Sequence, residues 1–342
     1  MGNGAGEPNK AQAKPQPAIR PGAGDARRAA VIRAVFGLGA WGVCLAWFNP
    51  AWEMALLWFG ILALVPVALS MFDELERAGG ALLHHAARLQ PAAALLLVAA
   101  WQPETRTILL AIPWIVVTGF CGLAGLERLV KLGLRRPAAA GDVGLIYFMV
   151  SGAWAGASVA EWPVFGLPPL IALLTVVHQT YAGLILQVVA GKIAGRVSER
   201  SPHRWMQRVA CGLLVPVSVG NMGIATGIVI TAYTGWAGFE FGAVCLYASS
   251  VIVLGWFQLY VAFARSSGLP AVSRILLVIA DLSLGTALTL AIIFAWGTLR
   301  GYPTLVIPQM ITWHGTLNAL GFGACGLLGW WLAKRAQSAT RR

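Results

Sequence analysis

An all-α, polytopic membrane helix bundle of about ten transmembrane helices is the fold this sequence predicts, and three observations predict it. The chain is 58% hydrophobic and 11% charged over 342 residues, where a soluble protein would carry about 25% charged residues. It divides into ten apolar stretches, each able to supply the roughly 17–25 residues that cross a hydrocarbon core. Numbering the gaps between them alternately places all but two of the 25 Lys and Arg residues on one side. That side collects Lys10, Lys14, Arg20, Arg27, Arg28 and Arg33, then Arg77 and Arg88, then Arg128, Lys131, Arg135 and Arg136. It continues through Lys192, Arg196, Arg200, Arg204 and Arg208 to Arg265, Arg274, Lys334, Arg335, Arg341 and Arg342, leaving Arg106 and Arg300 opposite. Positive loops stay in the cytoplasm, so both termini are expected there. An error in the number of spans would scramble the split.

Residues 1–28 are rich in Pro, Gly, Ala and basic residues without a hydrophobic period, and read as a disordered cytoplasmic tail. The apolar run Ala30 to Phe48 lacks a small-x-small cleavage site and reads as a retained first helix, 30–48. The second, 52–72, follows the Asn49-Pro50 break. The third, 91–102, reaches spanning length only if 81–90 joins it, although that stretch holds His84, His85 and Arg88. Removing it would reverse every later loop and destroy the charge split. The fourth, 107–126, follows Pro103-Glu104 and ends at Glu127. Asp142 opens the fifth, 142–160, where a carboxylate suits a helix N-terminus. After Glu161-Trp162-Pro163 come the sixth (166–190), seventh (207–234), eighth (239–264) and ninth (271–298). Gly301-Tyr302-Pro303 precedes the tenth, 306–333, and 336–342 is a short basic C-terminal tail, so residues 29–335 form one transmembrane domain.

Trp47, Trp52, Trp101, Trp162 and Trp236 fall at the less basic ends, as an interfacial aromatic belt would. The pairs Gly152/Gly156, Gly191/Gly195 and Gly223/Gly227 permit close helix packing. All five Cys lie inside expected spans with no C-x-x-C pair, so they read as small core residues. The net charge of +12 sits in short loops with no groove-forming domain to carry it. It therefore points to anionic headgroups of the lipid bilayer rather than to nucleic acid.

Inside lipid a charged residue costs about 2.5–3.5 kcal/mol on insertion scales, so polar positions there need a partner or a task. His178 lies mid-span with Tyr181 one turn on, sharing a face. His314 has Asn318 one turn below it, Asp281 is central in the ninth span, and Asn221 is central in the seventh. Each of these side chains could equally be a helix–helix hydrogen bond, worth about 0.6 kcal/mol on average. Glu53, Glu161 and Glu240 sit at the less basic ends of their spans, in the same half as His314.

Three stretches resemble the YndJ-like family of bacterial membrane proteins. They are Asp142-Val143-Gly144-Leu145-Ile146-Tyr147 with Gly152-Ala153-Trp154; His178 with Tyr181-Ala182-Gly183; and His314-Gly315-x-Leu317-Asn318-Ala319-x-Gly321-Phe322. Leu64-Val65-Pro66 adds a fourth island. The resemblance implies the fold and the site location and says little of the reaction; the expected location is the cell inner membrane, as a multi-pass protein.

The expected function is intramembrane acid/base chemistry on a lipophilic substrate, such as cyclisation or isomerisation of a terpenoid or polyprenyl chain. His178, Tyr181, Asp281, His314 and Asn318 are the candidate catalytic residues, and Trp154, Trp313, Asn221 and Glu161 the candidate substrate contacts. Aromatic rings would stabilise developing positive charge, and no cofactor or metal is expected. The alternatives are a proton-coupled transporter using His178 and Asp281, and a haem or metal held between His178 and His314, whose expected depths differ by roughly 6 Å.

Overall fold

The computed structural model of the chain describes residues 23–72, 78–264 and 268–340. Among them are ten helices long and apolar enough to span a membrane: α1 (Ala23–Phe48), α2 (Trp52–Leu69), α3 (Gly80–Ala100), α4 (Ile108–Leu132) and α5 (Ala139–Val159). The other five are α6 (Pro169–Arg200), α7 (Arg204–Thr234), α8 (Gly238–Phe263), α9 (Ala271–Arg300) and α10 (Ile307–Ala336, helical on to Thr340). No strand occurs among the described residues. The tail reading for 1–22 and for 341–342 lies outside the described residues.

Two boundaries differ from expectation in an informative way. The helix α1 starts at Ala23 rather than Ala30, and α3 is one continuous helix from Gly80, so 81–90 does join 91–100. Pro91 lies inside α3 and has no N–H for the carbonyl of Ala87, four residues back. Arg33 of α1 supplies the missing donor, its Nη1 giving a 2.7 Å hydrogen bond to Ala87 O. A basic residue read from sequence as a topology signal is thus also the cap of a broken backbone. Pro66 in α2 poses the same problem. There the chain takes a π-helical turn over Gly60–Leu64, and Gln90 of α3 donates through Nε2 to Ile61 O at 2.5 Å. Both devices follow from the need to satisfy every backbone polar group without water.

The helix α2 is the central one, with 83% of its apolar window buried against 17% for α1 and α7. Both helices expose large apolar side chains, among them Ile32, Val35 and Phe36 of α1 and Val215 and Val219 of α7, of the kind lipid covers. Packing runs α3–α4–α5 on one side and α7–α8–α9–α10 on the other, with α2 and α6 between them. Two helix pairs approach closely: a Cβ on Gly37 of α1 would fall 1.9 Å from Leu62 O of α2, and one on Gly152 of α5 would fall 1.9 Å from Thr118 Oγ1 of α4. Small residues let helices meet at this distance when no hydrophobic force drives them together.

At the basic end, α4 and α5 are joined by ions. Asp142 is fully buried in the first turn of α5, and its Oδ1 accepts from Arg128 Nε at 2.6 Å while Oδ2 accepts from Arg136. Phe72 lies under the Arg128 guanidinium at 5.6 Å. Glu127 instead pairs with Lys131 one turn away, on the surface.

Candidate functional site

The site begins with a break in three helices. After His178, α6 takes a π-helical turn over Gln179–Ile185; α10 does so over Met310–Gly315 and Leu317–Ala324, and α2 over Gly60–Leu64. Such turns open the intrahelical ladder and are frequent at functional sites. In α6 the turn also separates two sets of neighbours. Pro169–His178 packs on α5 and α2, whereas Leu186–Arg200 packs on α5, α7 and α8.

Tyr181 is where the three helices meet. Its hydroxyl donates to Leu56 O of α2 at 2.7 Å. A Cβ on Gly60 would lie 3.0 Å from that hydroxyl oxygen, and one on Gly323 of α10 would lie 3.1 Å from the ring. The ring therefore fills the space that two glycines leave, and it fixes α6 against α2 and α10.

This arrangement brings His178 and His314 together. Their ring centroids are 6.1 Å apart with planes inclined by 29°. His178 Nδ1 lies 2.8 Å from Leu174 O, and His314 Nδ1 lies 2.8 Å from Ala287 O of α9. A carbonyl only accepts, so each Nδ1 carries a proton and donates it, which leaves each neutral imidazole with a bare Nε2 lone pair. His178 is exposed and His314 half-buried. Two stacked rings, each with an acceptor nitrogen, thus stand within membrane-spanning helices.

The pairing differs from the one that spacing suggests. Tyr181 shares a face with His178 but gives its hydroxyl to Leu56, and Asn318 Nδ2 donates to the backbone oxygen of His314 at 3.0 Å, not to its ring. Tyr181 and Asn318 hold helices and backbone in place, while the histidines face each other. At the same level Trp52 Nε1 donates to Thr316 Oγ1 at 2.8 Å, tying the start of α2 to α10.

The remaining candidates are distributed elsewhere. Asn221 is buried and donates through Nδ2 to Gln179 Oε1 at 3.0 Å, joining α7 to α6 just after His178. Trp154 is half-buried on α5, its ring 6.3 Å from Phe165. Trp313 is 63% exposed beside His314 in sequence. Glu161 is exposed and ion-paired with Arg106. Asp281 belongs to a second cluster: its Oδ1 accepts from Gln258 Nε2 at 3.0 Å, and Gln258 Oε1 accepts from Trp330 Nε1 at 2.7 Å.

The glutamines Gln90, Gln179, Gln187 and Gln258 are all buried, and sequence reasoning passed over them. Their signal was present, since an amide inside an apolar helix needs a partner as much as an Asn does. Gln187 accepts from Ser218 Oγ at 2.9 Å and donates to Val217 O at 3.0 Å, and Tyr147 donates to Ser218 O. For a metal, the histidine pair offers two nitrogens, and among the described residues no group of three His, Cys, Asp or Glu side chains is assembled. Two nitrogens are about half the ligand set of a tetrahedral ion and about a third of that of an octahedral one, so the remainder would come from outside the protein.

Comparison with known proteins gives a family. The uncharacterized membrane protein YndJ of Bacillus subtilis (strain 168) is 28% identical over 222 residues, which are 64% of this chain and 38% of that protein. The matched region thus spans well under half of the relative's length. No solved structure matches. The family model described as YndJ-like protein matches residues 55–322, a range that holds the π-helical turns of α2 and α6, the first of the two in α10, Tyr181 and both site histidines. The chain belongs to the YndJ-like family of membrane proteins.

Proposed function

We propose that this protein is an inner-membrane enzyme, with both termini in the cytoplasm, that performs acid/base chemistry on a lipophilic substrate through His178 and His314. One observation carries the reading. Both rings are held by their Nδ1–H groups against backbone carbonyls, 6.1 Å apart, so both Nε2 atoms are free for a substrate. Fixed tautomers and a fixed separation are what general acid/base catalysis needs, and such a pair contributes roughly 10²–10⁴-fold.

The simplest reaction is double-bond migration. One imidazole takes a proton from water and leaves hydroxide. Its Nε2–H bond then breaks as that proton forms a C–H bond at one end of the double bond and the π pair shifts. The neutral partner then breaks an allylic C–H bond beyond the other end, and the proton it collects returns to the hydroxide. One proton enters the substrate and one leaves, and no oxidant or reductant is consumed. Imidazole is a mild acid and base, so the substrate's double bond would be activated by an adjacent polar group. Cyclisation initiated by the same proton transfer is the related possibility for a terpenoid or polyprenyl chain. Trp313, next to His314 in the chain, and Trp154 of α5 are the aromatic groups we assign to the substrate's path.

The test is mass spectrometry of lipid extracts from cells expressing the wild type, His178→Ala and His314→Ala at matched membrane levels. The expected result is a lipid species present with the wild type and lost with either variant. Three identical profiles would contradict catalysis.

A proton-coupled transporter is the second reading. It is favoured by the π-helical turns in three helices, since irregular backbone at membrane depth is a feature of transport sites. Identical lipid profiles combined with histidine-dependent proton uptake into vesicles would select it.

A further inference from the structure

The second polar cluster lies toward the basic end from the histidines and does not touch them. Asp281 is six residues before Ala287 on α9, the residue whose carbonyl holds His314, which is about 9 Å along the helix. Its carboxyl reaches a small cavity lined from α6 by Leu186 and Val189, from α8 by Leu254 and from α10 by Phe322. Gln258 is the other polar residue in that lining. Among the described residues no cation is within ion-pair distance of Asp281, and no other titratable side chain lines the cavity.

The hydrogen bonds assign the two carboxyl oxygens. Trp330 Nε1 can only donate, so the atom of Gln258 that it meets at 2.7 Å is Oε1. That fixes the amide orientation and turns Nε2 toward Asp281 Oδ1, 3.0 Å away. Oδ1 is therefore an acceptor held by a neutral donor. Oδ2 is buried and has no hydrogen-bond partner. An ionised carboxylate would leave half its charge on that oxygen, in apolar surroundings, with one neutral hydrogen bond and no counter-ion. Burying a charge on those terms is far more costly than burying a neutral acid.

We propose that Asp281 is a proton-binding site separate from the histidine pair: its Oδ2 carries the proton, and Gln258, held by Trp330, selects which oxygen does. The ligand is a proton, bound to a neutral carboxylic acid in the membrane interior. The site stands on its own geometry and does not depend on what the histidines do.

Infrared difference spectra of the full chain in lipid vesicles, wild type minus Asp281→Asn, test this at neutral pH. The expected result is the carbonyl band of one neutral carboxylic acid, present in the wild type and lost in the variant, which shifts when D₂O replaces water. Trp330→Phe would shift the same band, because Gln258 loses the contact that orients it. A pair of carboxylate bands in place of the acid band would overturn the proposal. A second measurement uses the wild type alone. A hydrophobic carbodiimide takes the acid's proton on nitrogen while the carboxyl oxygen adds to its central carbon, and the adduct rearranges to a stable N-acylurea. Peptide mass spectrometry is expected to find one reagent mass on Asp281, declining as pH rises. An unlabelled Asp281 at neutral pH would also count against the proposal.

Discussion

Replacing Gly60 by Ala is the most searching perturbation of the three-helix contact. The new Cβ would fall 3.0 Å from Tyr181 Oη, 3.1 Å from its Cζ and 3.2 Å from Thr180 Cγ2. Carbon atoms pack best at about 3.5–4.0 Å, so the neighbours would have to retreat by about 0.5 Å. Tyr181 has nowhere to go, since its hydroxyl is held by Leu56 O and its other edge rests on Gly323. Overpacking of this kind costs about 1–3 kcal/mol. Tyr181→Phe removes one hydrogen bond, for about 0.6 kcal/mol by the average of membrane double-mutant cycles. It also removes the atom nearest the new methyl, so the two substitutions are coupled. The double variant should be less damaged than the sum of the singles. Unfolding followed by tryptophan fluorescence in matched detergent gives all three values. Strict additivity, or an Ala at position 60 that costs nothing, would show that Tyr181 is not wedged where the structure puts it.

Two further outcomes follow from buried polar groups. Arg33→Ala leaves Ala87 O without a donor, which should cost about 1–3 kcal/mol; Pro91→Ala restores the N–H that the carbonyl lacks and should recover much of the loss, read by thermal unfolding of the single and double variants. Asp142→Ala removes the buried carboxylate that Arg128 and Arg136 share and should lower stability by about 3–5 kcal/mol, the range for breaking a buried ion pair from one side. A near-neutral result in the same unfolding assay would mean that the Arg128 guanidinium reaches water.

Much of the fold was legible because lipid imposes simple rules. Length and apolarity mark the spans, and the distribution of Lys and Arg tests their number. The third helix shows how the two signals combine: 81–90 is too polar to be recognised alone, yet the loop pattern requires it, and Gly80–Ala100 is helical. What spacing could not give is the partner across an interface. One-turn separations place His178 with Tyr181 and His314 with Asn318 on shared faces, but they are silent on what stands opposite. The π-helical turns shift the phase of the residues that follow them, so the faces of α6 and α10 cannot be extrapolated from an ideal helix. Arg33 and Ala87 are likewise 54 residues apart, and no local pattern announces that one caps the other.

The measurement that bears most directly on the central claim is nitrogen-15 NMR of the imidazoles in the full chain. The sequence holds five His, so His178→Ala and His314→Ala each remove one identifiable ring. The structure predicts that both rings are protonated at Nδ1 and bare at Nε2 when neutral, and that protonating one perturbs the other across 6.1 Å. A proton on Nε2 of either neutral ring would contradict the hydrogen bonds to Leu174 and Ala287, and with them the reading of this pair as an acid/base site.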